Sequence, residues 1–85
     1  MTIFEDVAAL IKSNITDAKV MVTDLTGTQD HLGITVASDA FLGKMLFQQH
    51  KMIMDILAPR LKQDIHAVQI KTMTLAQASE QNIFN

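Results

Sequence analysis

Within eighty-five residues the spacing of apolar side chains switches from a helical period to a strand period and back, twice over. A chain patterned this way must build both kinds of element and pack one against the other, so α+β is the fold class it predicts. Phe4, Val7, Ala8, Ile11 and Ile15 recur at three and four residues and predict a helix over 3–14. Thr2 followed by Glu5 has the spacing of a capping box at its start. Asn14 and the pair Thr16–Asp17 are poor interior residues and mark its end. AKVMVTDL (18–25) and HLGITVAS (31–38) are rich in β-branched residues and predict two strands. TGTQD (26–30) joins them as a hairpin, with Gly27 free to take positive φ. Gly33, inside the second strand, predicts a bulge or a close backbone contact.

SDAFLGK (38–44) is a polar link into MLFQQHKMIMDILAP (45–59). There Leu46, His50, Ile53 and Leu57 share a predicted buried side of a helix over 45–58, with Met45, Met52 and Ile56 beside it. Pro59 predicts its end or a kink, with a short helical turn, RLKQ, to follow. A third strand is predicted over 65–73 and a last helix over 74–81, capped by Thr74. The tail holding Ile83 and Phe84 is read as frayed unless those residues dock. The predicted order is α-β-β-α-α-β-α in one small domain spanning 1–85, a three-stranded sheet with helices on one face.

Composition narrows the chemistry. The chain is 48% hydrophobic, with four Phe, no Trp, no Tyr and no Cys. Thiol redox chemistry, a Cys-ligated zinc site and a wholly self-supplied iron–sulfur centre are excluded. Seven Lys and Arg against nine Asp and Glu give a formal charge of −2, spread along the chain. Lys44, Lys51, Arg60, Lys62 and Lys71 could meet in space, but no basic run announces a nucleic-acid face. The first residues lack the pattern of a signal peptide and no stretch approaches a membrane span, so the expected location is the cytoplasm. No nucleophile elbow, phosphate loop or dinucleotide fingerprint is present, and enzymatic activity is not expected.

Three histidines remain as candidates. His50 falls on the predicted buried stripe of the long helix, and the positions four residues to either side, Leu46 and Met54, offer no second ligand. His31 lies where the hairpin loop meets the second strand, either as an exposed loop residue or, with Asp30 and Asp24 nearby in sequence, at a weak cation site. His66 shares parity with Val68, Ile70 and Thr72, which favours packing, yet it stands at the strand's start, where a side chain can reach past the sheet. One imidazole cannot complete a structural metal site, so any ligand role requires His31, a partner or a small thiol.

The stretch SDAFLGKMLFQQHKMIMDILAPRLKQDIHAVQIKTMT resembles the BolA family, and the resemblance extends back to the first helix. It rests on Ser38, Phe41, Gly43, Lys44, His50, Ile65, His66, Ala67, Lys71 and Thr72 standing in register, and is strongest to small bacterial members of the IbaG/YrbA type. The resemblance implies a fold like that of type II KH domains. It also implies pairing with a monothiol glutaredoxin around a shared [2Fe-2S] cluster, with His66 as ligand and His31 at a position where many members carry a second one. Glutaredoxin cysteine and glutathione thiolate would complete the set, and the isolated chain, a monomer or weak homodimer, would carry no cofactor. Two departures stand out: Leu75 replaces the usual Pro, and the usual Trp is absent. The family's association with transcription implies an alternative, a nucleic-acid-binding regulator, although no GxxG loop of the KH kind is present.

Overall fold

The computed structural model describes residues 3–25, 27, 31–61 and 67–82, with the backbone alone for Ile3 and Ala67. The elements run α1 (Ile3–Asn14), β1 (Lys19–Asp24), β2 (His31–Ala37), a 3-10 turn (Asp39–Phe41), α2 (Leu46–Leu61), β3 (Ala67–Met73) and α3 (Leu75–Glu80). Thr2, the expected cap of α1, lies outside the described residues. Helix α1 places Glu5 and Asp6 in its first turn and Lys12 in its last, complementing its dipole. Its end is set by side chains that take over backbone acceptors. Ser13 Oγ and Asn14 Nδ2 both donate to the Leu10 carbonyl, at 2.8 and 2.9 Å.

The sheet order is β1-β2-β3. Strands β1 and β2 are antiparallel, from Lys19 opposite Ala37 to Asp24 opposite Leu32. Strands β2 and β3 are parallel, from His31 beside Ala67 to Ala37 beside Met73. The parallel pair requires a crossover, which the 3-10 turn and α2 provide. Gly27 has φ +81°, as the hairpin predicted. No bulge interrupts the register at Gly33; the close contact is what is found. A Cβ there would stand 2.7 Å from Thr23 Oγ1 and 3.1 Å from Leu25 Cδ2.

Because strand side chains alternate, the central strand divides the molecule. Leu32, Ile34 and Val36 join Val7, Ile11, Ile15, Ala18, Phe41, Ile53 and Leu57 in the main core, where α1 and α2 cover one face of the sheet. Helix α3 does not share that face. Its Ala78 is buried with Ala37 and Met73, which have the opposite parity, so α3 closes one end of the other face. Thr74 caps α3 as expected: its hydroxyl accepts from the Gln77 N–H and the Gln77 side chain accepts from the Thr74 N–H.

Helix α2 departs from expectation at both ends. It runs through Pro59 to Leu61, with no separate turn after the proline among the described residues. Near a helix end, proline sacrifices one backbone bond. Leu61, packed against the core, and Arg60, paired with Asp6 at 3.6 Å, hold the last residues in place. The short extra turn lies instead before α2. At the start of α2, Met45, Leu46 and Phe47 are 70, 61 and 70% exposed, so the buried stripe begins at Ile53 and not at Leu46. Phe41, 1% exposed, already fills the core at this end of the sheet and leaves the first turn of α2 nothing to cover. Among the described residues, no helix is long and apolar enough to cross a membrane.

Candidate functional site

His31 is the first residue of β2 and is half-buried. Its carbonyl accepts from the Leu25 N–H at 2.9 Å, which closes the hairpin ladder beneath it. On its other side β2 is in register with β3, and His31 stands beside Ala67. His66, the other candidate ligand, lies outside the described residues, as does Asp30. What the structure fixes is the strand start to which His66 is covalently joined: Ala67 is its next residue. The two strand starts are neighbours, although they are far apart in the sequence. His50 is half-buried on α2, on the face of Ile53 and Leu57 but one turn before the fully packed part of that stripe. Among the described residues, no three His, Asp or Glu side chains converge as a metal site.

Parity places His31 on the face that α1 and α2 leave open, together with Gly33 and Thr35. Opposite them stand Thr23 and Met21 of β1, and Gln69 and Lys71 of β3. An open hollow of about 280 Å³ lies on this face, lined among others by Thr23, Leu25, Gly33, Thr35, Gln69 and Lys71. Gly33 lowers its floor, since no side chain rises from the middle of the central strand.

Several residues that carry the family resemblance lie at the opposite end of the sheet, and there they are structural. Ser38 is fully buried. Its hydroxyl donates to Asp17 Oδ1 and accepts from the Ala40 N–H at 3.0 Å, capping the 3-10 turn. Asp17 Oδ2 accepts from the Asp39 N–H at 3.0 Å. The Ser38 hydroxyl and then the Asp39 N–H hold the Asp17 carboxyl below its ordinary range, because both bond the charged form. Thr72 donates to Gln49 Oε1 at 2.6 Å, while Gln49 Nε2 donates to the Lys44 carbonyl at 2.9 Å and the Phe41 carbonyl at 3.3 Å. Gln49 therefore ties the link before α2 to β3. Sequence reasoning missed Asp17 and Gln49 in these roles. Asp17 carried no signal beyond ending a helix, and Gln49 none that distinguished it from Gln48.

The comparisons with known proteins agree with this architecture. The family model for BolA-like protein matches residues 7–77. The chain belongs to the BolA-like family. An uncharacterized protein of Rickettsia prowazekii is 30% identical over 71 residues, 84% of this chain and 92% of that one. The DNA-binding transcriptional regulator BolA of Escherichia coli is 31% identical over 51 residues, which span 60% of this chain and 49% of that protein. Among solved structures, the BolA domain of SufE1 from Arabidopsis thaliana superposes with a TM-score of 0.80 at 26% identity, covering 91% of this chain and 96% of the other. The small α+β architecture with its mixed three-stranded sheet is thus that of a BolA domain.

Proposed function

We propose that this protein is a non-enzymatic adaptor that pairs with a monothiol glutaredoxin and lends histidine ligation to a shared [2Fe-2S] cluster. The observation that carries the reading is the register of β2 and β3, in which His31 opens one strand beside Ala67, the residue that follows His66. Two imidazole donors attached to adjacent strand starts suit half of a four-ligand set. With no cysteine in the chain, the remaining ligands must be a partner's, here the glutaredoxin cysteine and glutathione. The donor set therefore fits a cluster held between two proteins and not one resident in this chain alone. Imidazole in place of thiolate raises the potential of such a centre. The role of this chain is to offer His31 from one strand start and His66, next in sequence to Ala67, beside the other, on strands that the sheet keeps in place.

Co-purification with the host's monothiol glutaredoxin and glutathione tests the reading. The expected product is a heterocomplex whose visible absorption differs from that of the glutaredoxin alone. His66→Ala should abolish the difference without loss of the far-ultraviolet circular dichroism, and His31→Ala should shift it. An unchanged spectrum in the His66 variant removes the ligand role. The similarity to the DNA-binding transcriptional regulator BolA of Escherichia coli supports a second reading, binding to DNA. That reading requires affinity for duplex or single strands that weakens with salt as phosphate contacts do.

A further inference from the structure

The sheet face that α1 and α2 leave open has a one-signed character. Its described strand residues include Lys19 and Lys71, both exposed, and not one carboxylate, although the chain as a whole holds more acids than bases. Asp24, the acid of β1, has the parity of the helix-covered face, and its Oδ1 accepts from the Gly27 N–H at 2.9 Å. The same open face exposes Met21 and Leu25, at 38 and 48%. It also holds the hollow floored by Gly33, with Gln69 and Lys71 along its β3 side. A cation beside a hollow of mixed polarity, edged by the exposed apolar side chains of Met21 and Leu25, complements a protein surface that pairs a carboxylate with an apolar side chain. Single-stranded nucleic acid fits less well, because no Phe, Tyr or Trp stands on these strands to stack a base, and His31 at one end is the sole ring.

Resting on the function proposed above, we infer that this open face is where the cluster-sharing partner docks, presenting an acidic residue to Lys71 and an apolar side chain to the hollow beside Leu25. A protein seated there would abut His31, which begins the same face. The docking face and the candidate ligand would then form one continuous surface.

The test measures glutaredoxin affinity by titration calorimetry, in the presence of glutathione, for the intact protein and three variants. Lys71→Glu and Met21→Glu should each weaken binding about tenfold or more. Lys51→Glu makes the same change in net charge as Lys71→Glu on the exposed side of α2 and should leave affinity unchanged. Binding by the intact protein should weaken with added salt, and Lys71→Glu should flatten that dependence. Equal losses in the Lys71 and Lys51 variants, or none in the Lys71 variant, overturn the docking face while the cluster spectrum still reports on the function. Tight binding with no cluster spectrum would sink the function and leave the face. Absence of any binding by the intact protein overturns both. Backbone amide shifts on adding glutaredoxin give a check free of mutation: they should concentrate at 21–25, 31–35 and 69–71, and shifts centred on α2 would overturn the proposal.

Discussion

The two ends of the sheet are built differently. At the end where β2 and β3 finish, side chains are spent on one another: Ser38 on Asp17, Thr72 on Gln49, Ala78 on Ala37 and Met73. At the end where the same strands begin, His31 sits half-buried on the face that α1 and α2 leave open, at the end away from α3. One end holds the crossover together; the other carries the candidate ligand His31. On the function proposed above, residues that look alike as members of one family pattern therefore divide into a supporting set and a presenting set. Recognising the family from sequence does not say which is which.

Substitutions at the two ends should separate these roles. Phe41→Ala should do most damage, about 3–5 kcal/mol in denaturant unfolding, because it empties a fully enclosed position. A loss below about 1 kcal/mol would mean that the link before α2 is not part of the core. Ser38→Ala should cost about 1 kcal/mol for the lost cap. It should also alter the acid side of the stability profile. Asp17 titrates below its ordinary value in the folded chain, so its contribution is present above the unfolded value and lost as pH falls through the folded one. Stability followed from pH 7 into acid should thus fall less in Ser38→Ala than in the intact protein. Parallel profiles would exclude the link. Thr72→Val keeps the shape but removes the bond to Gln49 and should cost about 1 kcal/mol or less. Least affected should be His31→Ala, at about 0.5 kcal/mol or below. If His31→Ala destabilises more than Thr72→Val, the division between the ends is wrong.

Much of the architecture was legible because local pattern and tertiary outcome agree. The bounds of α1, the two hairpin strands and the cap at Thr74 follow from periodicity and short-range bonding alone. The misreadings have long-range causes. Pro59 reads as a stop, but Leu61 and Arg60 are held from outside the helix. Leu46 reads as core, but Phe41, five residues earlier, has filled the space. The stripe that includes His50 is correct in period and too generous in length. The site was legible in part: His31 stands at a strand start as its sequence position suggests, whereas its pairing with the start of β3 depends on strand order, which no local pattern encodes. The position of α3 on the second face was equally hidden, since Ala78 and Ala37 are too small to signal a contact.

The mixed sheet also sets an order of events in folding. The β1–β2 hairpin is local and can form within microseconds, whereas the β2–β3 pairing must wait until the whole crossover has closed. His31 is thus in place early, and its neighbour across the register arrives late. In the reverse direction, β3 is an edge strand, so a partial opening that peels it away would separate the two strand starts while the hairpin survives. The capacity to present two imidazoles together would then be a property of the complete fold alone, lost before the chain as a whole unfolds.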